Sequence, residues 1–167
     1  MRLRRRPVPP SEVRTHLASD PVLAAAELVD DSWAVASPRA LVLADASART
    51  ARIPWQEVLH GKWDGETRSL DITFVDPARD HVVLATKDDD VQHLADTIRE
   101  RVTSSLVHTL RRELPNGSTV QVHIRRGEGG ELISQTTTDG PLTGTREEAA
   151  AILATEAEAR GAVGLAG

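Results

Sequence analysis

Histidine is the side chain best suited to chemistry near neutral pH, as a metal ligand or a general acid–base group. The chain has six: His16, His60, His81, His93, His108 and His123. No two stand at the i, i+4 spacing that places a pair of ligands on one helix face, so no metal site is expected. His60, His108 and His123 fall in segments with strand character. Only the fold could bring them beside a carboxylate, as a small hydrolase or transferase would need. Solvated or strand-face histidines are the simpler expectation. Cysteine is absent, which removes disulfides, thiolate zinc sites and a cysteine nucleophile. The acidic run Asp88-Asp89-Asp90 lacks the spaced oxygens and glycine of a calcium loop and reads better as a helix start. Gly127-Glu128-Gly129-Gly130 has no following Lys-Ser/Thr and sits between two strand patterns, so it reads as a turn and not as a phosphate loop. Gly-x-Ser-x-Gly does not occur. No catalytic, metal or cofactor-binding residue is therefore assigned, and no cofactor is expected.

The other chemistry-bearing group is cationic. Arg2, Arg4, Arg5 and Arg6 crowd the amino terminus and are the candidate anion contacts, for lipid headgroups or nucleic-acid phosphates. The whole chain carries −5, so without these four charges the remainder stands at about −9. A body of that sign disfavours nucleic acid and anionic membranes, and the arm itself is read as a solvated tail. Pro7, Pro9 and Pro10 occupy the place of a signal peptide's apolar run. The apolar stretch at residues 22–26 is far too short to span a bilayer. A cytoplasmic protein with no integral membrane segment is expected.

The elements that would position these groups follow from periodicity. Residues 1–10 form the basic, proline-rich arm, and Ser11 is placed to cap a short helix reaching Leu17. Short strands separated by turn signals run from residue 22 to 86. They fall at 22–29, 33–36, 41–43, 51–53, 57–64, 68–76 and 81–86, a spacing that favours an antiparallel barrel or sandwich. Leu70, Ile72 and Phe74 alternate with Asp71, Thr73 and Val75, as in a half-buried strand. At Asp88 the period changes. Asp89 and Gln92 form a capping box, and Val91, Leu94, Ala95, Ile98 and Val102 fall on one helical face. Three more strands follow at 106–114, 119–126 and 132–138, the first pair joined through Pro115-Asn116-Gly117-Ser118. Thr145 with Glu148 opens a last, alanine-rich helix, with an apolar stripe at Ala149, Ile152, Leu153 and Ala157 and a left-handed stop at Gly161. The four aromatic residues, Trp33, Trp55, Trp63 and Phe74, are expected to mark the middle of the core.

Two segments carry a family resemblance. Trp33-Ala34-Val35-Ala36-Ser37-Pro38-Arg39-Ala40-Leu41-Val42-Leu43 resembles the second and third strands of bacterial pleckstrin-homology-like (PH-like) domains, where a tight turn bearing Arg joins two strands. Arg52-Ile53-Pro54-Trp55-Gln56-Glu57-Val58 resembles the next strand. The chain as a whole is similar to a group of uncharacterised short actinobacterial proteins with a PH-like barrel and a basic, proline-containing start. The resemblance covers residues 11–103. It implies an α+β fold: a PH-like antiparallel β-barrel closed by one helix. Residues 104–167 then add a three-stranded β segment and a carboxy-terminal helix, packed on the barrel or at an oligomer interface. PH-like domains bind lipids, peptides or partner proteins, and the resemblance carries no site residues with it. Phosphoinositide binding is disfavoured, because Asp30-Asp31-Ser32 stands where a basic loop would be needed. The function expected is a non-catalytic interaction module binding a protein partner or itself. The alternative is peripheral binding to anionic membrane or nucleic acid through the arm.

Overall fold

The computed structural model describes residues 6–89 and 91–166. It divides into two compact units, Met1–Thr103 and Ser104–Gly167. The fold is α+β, with three antiparallel sheets and three helices.

In the first unit, β1 (Ala24–Glu27), β2 (Trp33–Ala36), β3 (Ala40–Ala44) and β4 (Arg49–Pro54) form one sheet in chain order. β5 (Val58–Asp64), β6 (Ser69–Phe74) and β7 (Val82–Ala85) form a second. Among the described residues the two sheets are joined by a single bridge, Leu28 to Thr86. It is flanked by Val29 N–H donating to the Ala85 carbonyl and Lys87 N–H to that of Glu27, each at 3.0 Å. The ladder does not close into a barrel among the described residues.

All four residues of β2 are buried. A strand that reads Trp-Ala-Val-Ala without polar alternation must be covered on both faces, and two separate clusters do this. On one face Ala24, Ala26, Ala34, Ala36, Leu41 and Ile53 pack with Trp55, Leu70, Ile72 and Phe74, and with Leu94 and Ile98. The last two belong to helix α2 (Gln92–Ser105). On the other face Ala25, Trp33, Val35, Ala40, Val42 and Ala44 are covered by Val13 of helix α1 (Ser11–Arg14) and Leu17 of the 3-10 turn that follows. The aromatic residues are therefore split between the two sides, and Trp63 is only partly buried. Trp55 lies in a 3-10 turn (Trp55–Glu57) between β4 and β5, where its indole N–H donates to the Ser37 carbonyl at 2.9 Å. α2 buries the expected face. Gln92 donates to Asp96 at 2.8 Å, one turn along, and Asp90 lies outside the described residues. α1 departs from expectation at its start. Pro10 occupies the cap position, and the Ser11 hydroxyl bonds the Glu12 carboxylate.

The second unit is a sheet in the order β10-β9-β8 with one helix. β8 spans Leu106–Glu113, β9 Thr119–Arg126, β10 Leu132–Asp139 and α3 Arg146–Ala162. Val120, Val122 and Ile124 of β9 pack with Ala159 and Ile152 of α3. The β8–β9 turn is tight, with Gly117 at φ +86° and Leu114 N–H donating to the Ser118 carbonyl at 2.7 Å. Thr145 caps α3 by accepting from Glu148 N–H at 3.2 Å. The Glu148 carboxylate bonds to groups other than the cap itself. It accepts from Thr143 N–H and Gly144 N–H at 3.0 Å, from the Thr143 hydroxyl, and from the Asn116 amide at 2.8 Å, so one buried carboxylate ties the helix start to two loops. Two expectations for α3 are corrected. Its buried positions are Glu148, Thr155 and Ala159, while Leu153 is 66% exposed. The left-handed stop is Gly164, at φ +76°, with Leu165 N–H reaching the Arg160 carbonyl at 2.9 Å; Gly161 remains helical. An alanine-rich helix has so weak an apolar stripe that the sheet it meets, and not its own pattern, selects the buried face.

Candidate functional site

A cleft of about 560 Å3 lies in the first unit between residues 6–25 and His93 of α2. Its volume is within the range of small-ligand sites. Three local features build it. α1 and its 3-10 turn lie over the outer face of the sheet because Val13 and Leu17, four residues apart, both point into it. Next, Ala18 takes φ +55° and ψ −126°, reversing the chain so that Asp20 N–H donates to the Leu17 carbonyl at 3.2 Å. That conformation favours glycine, so an alanine there is strained, and such strain is characteristic of functional and tightly constrained sites. Finally, Leu23 enters β1 with its N–H on the Ala36 carbonyl at 2.8 Å and its own carbonyl 3.2 Å from His93 Nε2. That contact is a hydrogen bond when the proton is on Nε2.

The electrostatics of the lining are asymmetric. Asp20, the one acid in the wall, is already held by Arg39. The guanidinium Nε lies 3.0 and 3.1 Å from its two oxygens and a terminal nitrogen lies 2.6 Å from one of them. This pairing, with the Ser37 hydroxyl, keeps the Asp20 carboxyl below the usual carboxylate range. Arg6 and Arg14 also line the cleft, and among the described residues no ion pair engages either. The apolar share comes from Pro7, Val8, Leu17, Val22 and Leu23, of which Val8 is 66% exposed. A wall with two guanidinium groups outside any ion pair among the described residues, of which Arg14 also acts on the Glu12 carboxylate, and with apolar surface, suits an anionic, partly apolar ligand.

Of the predicted anion contacts, Arg6 lies in this cleft, while Arg2, Arg4 and Arg5 lie outside the described residues. The histidines do not gather. His16 lies within the first 3-10 turn, His81 sits 3.2 Å from Asp71 ahead of β7, and His93 lines the cleft. His60 lies on β5 in the first unit, beside a groove of about 200 Å3 lined also by Arg99 and Thr103. In the second unit His108 is paired with Ile124, whereas His123 is the neighbour of Ile124 along β9. Cross-strand partners share a face and adjacent residues alternate, so His108 and His123 lie on opposite faces of their sheet and form no joint site. His123 is buried beside Thr109, 3.2 Å away, and Arg125. Burial, with that guanidinium, pushes its pKa down. Arg125 is itself buried and donates to the Ser105 hydroxyl at 2.9 Å. Among the described residues no group of three or more His, Asp or Glu is arranged to hold a metal ion, and no helix is long and apolar enough to cross a membrane.

No protein-family model matches the chain, and no curated protein matches it in sequence.

The cleft is the feature that sequence reasoning missed. Residues 1–10 read as a solvated arm, yet Pro9 is buried and Arg6 to Pro9 help form the wall. Two signals pointed to it. One was the Val13/Leu17 pair on an otherwise polar short helix. The other was the absence of a polar face in β2, which required a cover for its outer side.

Proposed function

We propose that this chain is a non-catalytic interaction module of PH-like architecture, working in the cytoplasm, which binds a partner protein by holding an acidic, partly apolar segment of it in the amino-terminal cleft. The observation that carries the reading is the cleft wall: Arg6 and Arg14 in no ion pair among the described residues, Asp20 neutralised by Arg39, and apolar surface between them. Two arginines in one concavity of an otherwise acidic chain give a surface complementary to acidic segments. The PH-like part of the proposal is supported by the order of four strands, three strands and a helix, and by the burial of the Trp55 indole against the Ser37–Ala40 turn. Membership of the short actinobacterial PH-like group is proposed on the same two segments. Cysteine-free composition supports the cytoplasmic assignment.

A photo-crosslinking residue at Val8, in cells of the source organism, tests the proposal. Arg6→Glu with Arg14→Glu is expected to abolish crosslinking to the captured protein while leaving the circular dichroism spectrum unchanged. Capture that survives the double charge reversal refutes the reading, and so does recovery of lipid or nucleic acid alone.

A further inference from the structure

We propose that the second unit pairs with a second copy of this chain along the outer edge of β10, about a two-fold axis at Thr136, so that two three-stranded sheets become one. This does not depend on the reading of the cleft. β10 and β8 are the edge strands of the order β10-β9-β8, and they differ in how they are protected. Native sheets blunt their edges with charges and bulges. β8 has both: a register shift between Leu106 and His108, and the exposed charges of Arg111, Arg112 and Glu113. β10 has neither over most of its length. It pairs with β9 from Leu132 to Asp139 without a register shift, and residues 132–138 include no charge and no proline. No residue of β10 is buried, so the whole strand is accessible from its outer side.

The phase of the ladder shows which backbone groups are open. Gly127 N–H donates to the Glu131 carbonyl at 2.8 Å, one step beyond the Arg126–Leu132 pair. In an antiparallel pair the bonded residues alternate, so Ile133, Gln135, Thr137 and Asp139 turn their N–H and C=O groups to β9. Those of Leu132, Ser134, Thr136 and Thr138 point to the outer edge, and among the described residues no hydrogen bond engages them there. Open residues must meet open residues, so a two-fold axis has to pass through one residue of the strand. At Gln135 it would set Glu131 against Asp139 of the copy, a like-charge pair repeated at both ends. At Ser134 or Thr137 the paired length shortens, because Gly130, at φ +85°, and Gly140, at φ +97°, are outside the strand. At Thr136 residues 133–139 pair without like charges: Thr136 meets its own counterpart, Ser134 meets Thr138, and Gln135 meets Thr137. Threonine and serine pairs of this kind stabilise antiparallel sheets. The strand is complementary to itself, which commits the edge to a second copy.

The chain has no cysteine, so a single introduced one reports the axis without background. Residues opposed in a bonded antiparallel pair have Cα atoms about 5.5 Å apart, within disulfide reach. Thr136→Cys in the full chain is therefore expected to give a disulfide-linked dimer under mild oxidation. Thr138→Cys, whose counterpart lies about 14 Å away along the ladder, is expected to stay unlinked. Sedimentation from micromolar to millimolar concentration is expected to show a monomer–dimer equilibrium. Thr136→Lys and Thr136→Glu should each weaken it about fivefold or more, by setting like charges face to face, and an equimolar mixture of the two should restore it. Thr136 is exposed, and recovery on mixing also shows that both variants fold. A wild-type chain that stays monomeric throughout overturns the proposal, as does a dimer that Thr136→Lys leaves unchanged. Crosslinking of Thr138→Cys as efficient as that of Thr136→Cys overturns the Thr136 axis, and the proposal with it.

Discussion

Ala18 offers the sharpest test of how the cleft is built. Its φ of +55° with ψ −126° places Cβ against the backbone, a conformation that costs an L-residue about 1–3 kcal/mol and glycine very little. Replacing Ala18 by glycine removes that strain. It also gives the unfolded chain more freedom to lose, at about 0.4–1 kcal/mol. Strain wins over most of this range, so Ala18→Gly is expected to stabilise the first unit by roughly 0.5–2 kcal/mol. With a urea slope of about 1–3 kcal/mol per molar, the midpoint should rise by about 0.5 M. Ala18 is exposed, so no packing is lost with its methyl group and the comparison isolates the backbone. The assay is urea unfolding followed by tryptophan fluorescence, because all three tryptophans lie in Met1–Thr103 and report on that unit alone. Ala18→Val, which forces a β-branched residue into the same conformation, should shift the midpoint the other way. A glycine variant less stable than the wild type would refute the argument that this turn is strained.

Three further outcomes follow from the packing. Trp55→Phe leaves the buried Ser37 carbonyl without its indole donor and opens space in the core. It should cost about 2–4 kcal/mol by denaturant titration, and a cost under about 0.5 kcal/mol would show that this bond does not anchor the turn. Glu148 has its pKa lowered, chiefly by the Thr143 and Gly144 N–H groups. Its stabilising effect is thus fully present above the ordinary glutamate range and lost as pH falls through the lower folded value. Unfolding of the second unit by acid should therefore begin at a higher pH in Glu148→Gln than in the wild type, and matching acid profiles for the two proteins would count against the carboxylate's role. On α3, Leu153→Lys should change stability by no more than about 0.5 kcal/mol, whereas Ala159→Leu should destabilise by about 1–3 kcal/mol, as the exposed and fully buried positions require. The reverse ranking, measured by thermal melting, would mean that α3 buries its other face.

Local signals were sufficient for much of the fold. The alternation of Leu70, Ile72 and Phe74, the face of α2 from Val91 to Val102, the Asn116-Gly117 turn and the Thr145 cap all depend on interactions within a few residues, and each appears where the pattern put it. The basic start against an acidic remainder is equally a property of the chain itself. Tertiary packing decided the rest. Alanine contributes little to an amphipathic pattern, so in β1, β2 and α3 the buried face was set by what arrived to cover it. Val13 and Leu17 cover the outer face of the sheet from beyond the turn at Ala18, and Ala159 meets strand β9 from more than thirty residues away in sequence. The cleft arises from the same cause. Arg6, Arg14, Ala25 and His93 come from four segments, and only the fold places them in one wall.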